Sequence, residues 1–163
     1  MWQWRVARIR HLLLNIPMSG NGTLDEKERA VLDGIKEWMD QNGESIYGTR
    51  PWRTFGEGPL AEAANPMTAQ GFNEKNNYSA RDVRYVQHRD TVYATIMRWP
   101  QQPTFAFKAL GRSTPYNSST VESVTLLGYG QVPFTQRADS LQVKLPATPV
   151  NKIAPVFKVT FRE

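Results

Sequence analysis

The chain changes its hydrophobic period partway along, and that change divides it. Leu12-Leu13-Leu14-Asn15-Ile16 is a continuous apolar run, the pattern of a strand buried on both faces, as in a parallel sheet. Pro17 ends it, because proline has no N–H to give to a ladder. Ser19-Gly20-Asn21-Gly22 supplies turn chemistry, and Thr23 with Glu26 three residues on forms a capping-box pattern. Val31, Ile35, Trp38 and Met39 then recur on one helical face, and Asn42-Gly43 reads as the C-cap. These signals predict one strand and one long helix, half of a βα unit.

From Ala80 the period becomes two. Val83, Tyr85 and Gln87 alternate with Asp82, Arg84 and Val86, His88-Arg89-Asp90 turns the chain, and Thr91 to Met97 returns as the second arm of a hairpin. Further strands are predicted over Thr104 to Leu110, Val121 to Leu127, Val132 to Gln136, Ser140 to Leu145 and Ile153 to Phe161. Gly111 to Thr120 reads as a polar loop. Short strands separated by turn signals predict an antiparallel β-sandwich of Greek-key type, so the chain is mainly β. Between the two patterns, residues 53–79 are rich in Gly, Pro, Asn, Ala and Glu without periodicity and read as an extended linker loop. The expected organisation is therefore an atypical segment 1–10, a strand-helix unit 11–52, the linker 53–79 and a sandwich 80–163.

A strand with no upstream partners and a helix with no sheet to cover make a poor start to a domain. The eleven residues before Leu12 cannot supply that sheet. The motifs resolve this. Leu12-Leu-Leu-Asn15-Ile-Pro17, then Gly20-Asn-Gly22-Thr23, a helix with Trp38, and Gly43-Glu44-Ser45-Ile46-Tyr47-Gly48-Thr49-Arg50-Pro51-Trp52 resemble the α-L-fucosidases of glycoside hydrolase family 29. Asp82-Val83-Arg84-Tyr85, Asp90-Thr91-Val92-Tyr93-Ala94 and Trp99-Pro100 are similar to the opening hairpin of that family's C-terminal sandwich, and Val121 to Gly128 and Leu141 to Pro146 continue the likeness more weakly. The resemblance implies the last strand and helix of a catalytic barrel followed by a C-terminal β-sandwich. It also implies a parent enzyme that removes terminal α-L-fucose from glycans with retention.

That chemistry needs a carboxylate nucleophile and an acid/base carboxyl roughly 5–5.5 Å apart. In the family these are an Asp and a Glu on barrel loops before the last strand, upstream of anything this chain contains, so no catalytic residue is assigned. Barrel sites lie at the C-terminal ends of strands, which leaves Asn15, Met18 and Ser19 as substrate-rim candidates. Trp52 beside Pro51 reads as a filler where barrel and sandwich meet, with a sugar-stacking platform as the functional alternative. Two rival functions stay open. One is a free-standing sandwich that binds carbohydrate or protein; the other is a short active fucosidase working as an oligomer with carboxylates such as Glu57, Glu62 or Asp82.

Composition narrows the partners. The net charge of +5 and pI near 9.6 raise nucleic acid as a partner, but the basic residues are scattered among acids outside Arg5, Arg8 and Arg10, so none is expected. His11 and His88 are the only histidines and there is no cysteine, so neither a metal nor a cofactor is expected. Met1 to Arg10 mixes Arg with Trp, Val and Ile in a pattern that suits neither a signal peptide nor a membrane span. It is read as the product of an internal start, a frameshift or a gene-calling error, with a basic arm for an anionic surface as the rival. No membrane association is expected, and the compartment is left open; family members are often secreted, periplasmic or lysosomal. The expected partners are a fucosylated glycan for the parent and a second copy of this chain through the bare strand and helix.

Overall fold

A computed structural model describes residues 14–62, 77–151 and 153–162. Helix α1 (Glu26–Asn42) is the first regular element among the described residues, and a short 3-10 turn (Gly43–Ser45) follows it. The strands are β1 (Arg50–Glu57), β2 (Val83–His88), β3 (Thr91–Ile96), β4 (Thr104–Phe107), β5 (Val121–Leu126), β6 (Gly130–Gln131), β7 (Phe134–Gln136), β8 (Leu141–Lys144) and β9 (Val156–Phe161). A single helical turn, α2 (Pro59–Glu62), lies between β1 and β2.

The strands form two antiparallel sheets, one in the order β1-β2-β3-β9-β5-β6 and the other β4-β8-β7. This is the predicted sandwich. The apolar partners of the alternating pattern meet between the sheets: Val83, Tyr85, Val92 and Ala94 from the hairpin face Phe107, Leu141 and Val143. Phe107 packs edge-on to Phe157 at 5.4 Å between centroids, in the tilted geometry that aromatic quadrupoles favour. The hairpin register runs from Val83 opposite Ile96 to His88 opposite Thr91, and Arg89 takes a positive φ of 53° at its tip.

Three expectations change. Leu14 to Ile16 form no strand; every strand among the described residues belongs to the two sheets, and none of them pairs with this largely exposed segment, whose backbone groups face solvent instead of a ladder. Leu12 and Leu13, the segment 1–10 and most of the expected linker lie outside the described residues. The helix starts later than Thr23. Asp25 is the N-cap, its carboxylate accepting from the Glu28 N–H at 2.9 Å, while Thr23 donates to Asn21 in the turn before it.

The third change is the most consequential. The expected linker from residue 53 contains a strand, because Arg50–Glu57 pairs with β2 as the edge of the large sheet. Its register slips between Pro51 and Gly56, and that bulge is why no period of two is visible in the sequence. Pro51 suits an edge, where its missing N–H costs no ladder bond.

The alternation on β2 and β3 also hides a second buried face. Val86 and Tyr93, on the outer side of the large sheet, are buried under α1 rather than facing solvent.

Candidate functional site: the helical face of the sandwich

Trp38 is the anchor of α1. Its indole is 8% exposed and packs with Val86, Tyr93, Leu127 and Val156. Its Nε1–H donates to the carbonyls of Ile153 (3.0 Å) and Ala154 (3.2 Å), so the ring is fixed at both its apolar body and its polar edge. One turn on, Gln41 Nε2 donates to the Leu127 carbonyl and its Oε1 accepts from Asn151. Asn42 is fully buried, its side-chain amide donating back to the Trp38 carbonyl. The predicted stripe is thus used unevenly. Ile35 and Met39 are half-buried, but Val31 is 53% exposed.

Glu44, from the Gly43-to-Trp52 motif, locks the end of the helix to the sheet. One carboxylate oxygen accepts from the Tyr93 hydroxyl (3.1 Å) and from Lys158 Nζ (2.8 Å). Burial, and then the Glu44 charge and hydrogen bond, push the Tyr93 phenol up to about 12. A phenol raised in the folded state stabilises fully below its unfolded value near 10, and that contribution is lost as pH rises through about 12. Glu44→Gln removes the charge but keeps an acceptor. Tyrosinate absorbance during an alkaline titration is expected to show one phenol ionising earlier in that variant; superimposable titrations would refute the coupling.

Around this anchored region lies uncovered apolar surface. Tyr47 is 70% exposed, Ile153 68%, Tyr129 58% and Met18 68%. Ile153 adjoins the Trp38 contact, Tyr129 follows Gly128 beside Gln41, and Tyr47 packs near Gly43, so three of the four flank the end of α1. Scattered exposed apolar residues are ordinary; a group around one helix marks a contact surface.

The rim candidates fall on the irregular segment before the helix. Asn15, Met18 and Ser19 are all exposed, and the Ser19 N–H donates to the Thr23 carbonyl in a closed turn. Two of the three carboxylates of the oligomer reading, Asp82 and Glu57, are engaged by neighbouring backbone. Asp82 is buried and accepts from the Leu60 N–H, the Ser79 N–H and the Ser79 hydroxyl; burial opposes its charge, but those bonds outweigh it and hold the carboxyl below its usual range. Glu57 accepts from the Lys108 and Ala109 N–H groups, joining β1 to the turn after β4; burial raises its carboxyl in spite of those bonds. Glu62 is exposed. Trp52 is half-buried, its ring tilted against Tyr85 with 5.2 Å between centroids. His88 sits exposed at the hairpin end, and no His, Asp and Glu group among the described residues is arranged to hold a metal ion.

Sequence reasoning found α1 and Trp38 but missed the role of β1 and of Ile153 and Tyr129. Ile153 is expected to open the last strand, Ile153 to Phe161, but β9 begins at Val156 and leaves Ile153 in the loop before it.

The chain has known relatives. A family model described as the α-L-fucosidase C-terminal domain matches residues 75–160, just over half of the chain. The tissue α-L-fucosidase of Homo sapiens is 27% identical over 152 residues, covering 92% of this chain and 27% of that protein. The α-L-fucosidase of Branchiostoma floridae is 26% identical over 119 residues, covering 73% of this chain and 21% of that protein. Among solved structures, Thermotoga maritima α-fucosidase in complex with fucose superposes with a TM-score of 0.70 at 18% identity, over 97% of this chain and 32% of that one. α-L-Fucosidase isoenzyme 1 from Paenibacillus thiaminolyticus gives 0.68 at 21% identity, over 98% and 32%. This chain spans between a fifth and a third of the length of these relatives.

Proposed function

This chain belongs to the family of α-L-fucosidase C-terminal domains, and from that we infer that it is the non-catalytic accessory part of an α-L-fucosidase. The parent, on this reading, removes terminal α-L-fucose from fucosylated glycans by a retaining mechanism, with both catalytic carboxylates on a barrel domain. The chain packs against that barrel through α1 and the apolar residues around its end. One observation carries the reading: α1 is pinned to the sandwich by Trp38, yet Val31 and Tyr47 stay uncovered. An apolar stripe anchored at its C-terminal end by Trp38 and bare two turns earlier at Val31, with Tyr47 uncovered just beyond the helix, suits a position between two domains.

The committed carboxylates support it as well. Glu57 and Asp82 each hold backbone N–H groups of neighbouring segments in place, a structural use for both carboxylates. Asn15, Met18 and Ser19, exposed ahead of the helix, are then the part of this chain that reaches the rim of the substrate site. In isolation the bare helical face pairs with a second copy of the chain.

The test is a chimera in which this chain replaces the matched third of the Thermotoga maritima enzyme. Val31→Asp with Tyr47→Asp is expected to lower the chimera's Tm by several degrees and to leave the isolated chain's Tm unchanged at a concentration low enough to keep that chain monomeric. Equal shifts in both contexts, or none in the chimera, would contradict a docking role for this face.

A further inference from the structure

A second feature, at the opposite end of β1 from Glu57, is used by none of the foregoing. A cleft of about 190 Å³ opens where the tip of the β2–β3 hairpin, the end of β9 and the loop before β5 converge. It is lined by three arginines, Arg53, Arg89 and Arg162, and three aromatic rings, Trp52, Tyr116 and Phe161. Asp90 is the one acid among its lining residues. Among the described residues the ion pairs are Lys36–Asp40 and Lys158–Glu44, so none of the three arginines is ion-paired to a described carboxylate.

The geometry points to a binding site for one anionic sugar ring, a pyranose bearing a sulfate ester or a carboxylate. The guanidinium forks supply the charge-assisted, two-pronged hydrogen bonds that suit either anion. Trp52 and Phe161 also pack against the inter-sheet core, so the parts of these rings that line the cleft, with exposed Tyr116, are what meets the C–H face of the sugar ring. An inorganic ion would have no use for that surface. A nucleic acid needs a charged track along its backbone, whereas these arginines come from three separate segments and meet at one cavity. The size agrees. At about 190 Å³ the cleft is smaller than the roughly 300–1,000 Å³ of pockets for drug-sized ligands, so it takes one ring and leaves the rest of a glycan outside.

The walls are set in advance. Arg53 Nη1 donates to the Tyr116 carbonyl at 3.2 Å, which fixes its guanidinium while leaving its other donors. The Trp52 ring rests tilted against buried Tyr85, with 5.2 Å between centroids. The Arg162 N–H donates to the Thr120 carbonyl and the Phe161 N–H to the Asp90 carbonyl, tying the end of β9 to both neighbouring loops. Buried Asn117 braces the remaining loop by donating to the Leu110, Gly111 and Ser119 carbonyls. Arg89 stands at the hairpin tip with φ 53°, a conformation that glycine or asparagine adopts more readily. Arginine therefore contributes nothing to the turn that glycine would not, and its side chain is what it adds at this position.

The experiment titrates the purified chain, at physiological salt, with a sulfated disaccharide, a uronic-acid disaccharide and an uncharged disaccharide. Inorganic sulfate and a single-stranded oligonucleotide are the further probes, and tryptophan fluorescence and calorimetry are the readouts. Saturable one-to-one binding of an anionic disaccharide is expected, at least about tenfold tighter than the uncharged sugar or sulfate, and whichever of the two binds tighter identifies the anion. Arg89→Gly with Arg162→Gln is expected to weaken that binding by about tenfold or more with an unchanged Tm, since glycine suits the tip. The inference is overturned by equal binding of the variant or of the uncharged sugar, by inorganic sulfate binding as tightly, by preference for the oligonucleotide, or by no binding at all.

Discussion

Trp38→Ala is expected to cost this protein about 3 kcal/mol and to free α1 from the sheet, a lowering of Tm by roughly 10 °C. The indole is the largest side chain between the helix and the outer face of the six-stranded sheet, with Val86, Tyr93, Leu127 and Val156 packed around it. Truncation leaves a cavity that four side chains from four different segments cannot close together. It also strands the Ile153 and Ala154 carbonyls, which lose their shared donor. The inter-sheet core is separate, formed by residues such as Tyr85, Phe107, Val143 and Phe157. Hydrogen exchange is therefore expected to quicken in α1 while β2, β3 and β9 stay protected. Uniform loss of protection would show that the helix and sandwich unfold as one unit and that α1 is part of the core.

Gly58→Ala is expected to be as severe for a different reason. Gly58 has φ +99°, which an L side chain rarely adopts, and an added Cβ would lie 2.2 Å from the Arg81 carbonyl oxygen and 2.9 Å from the Asp82 Cα. Both are backbone atoms, so no side-chain rotation relieves the overlap. The displaced neighbour is Asp82, which holds the Leu60 N–H and the Ser79 N–H and hydroxyl together. Backbone strain, overpacking and the loss of buried hydrogen bonds together come to about 3 kcal/mol or more. Urea unfolding of the variant measures this. A loss below about 1 kcal/mol, typical of tolerated glycine replacements, would mean that the junction between β1 and β2 yields easily.

The sequence is most legible where period and burial agree. The β2–β3 hairpin, β5, β8 and β9 follow from alternation and turn residues because one face of each is shared by a single core. Trp38 follows from helical spacing, and the exit motif from Gly43 to Trp52 from resemblance. Three features were hidden for physical reasons. β1 carries its pairing through a bulge, so its residues lose the period that marks a strand. The outer face of β2 and β3 is buried by a helix far away in the chain, and Tyr93 and Val86 carry no local sign of that cover. The apolar run at Leu14 to Ile16 has strand propensity without a partner, and propensity alone forms no ladder.

The candidate site divides in the same way. Asn15, Met18 and Ser19 were chosen from their place in a motif, and the fold leaves them exposed ahead of α1 without joining them to any cluster of chemical groups. Ile153 and Tyr129 reach the helical face only through the topology, since both come from loops that the large sheet carries to the end of α1. The arginine cleft needed the fold altogether. Arg53, Arg89 and Arg162 are widely spaced in sequence, and only the convergence of a hairpin tip with two strand ends brings them together.

The central claim, a non-catalytic domain of an α-L-fucosidase, is tested most directly by hydrolysis of a chromogenic aryl α-L-fucoside across a size-exclusion profile of the purified chain. The account predicts no turnover in any fraction that contains the chain, whatever its state of association. Turnover that follows the protein peak and disappears on substitution of Glu57, Glu62 or Asp82 would place a catalytic carboxylate within this chain and contradict it.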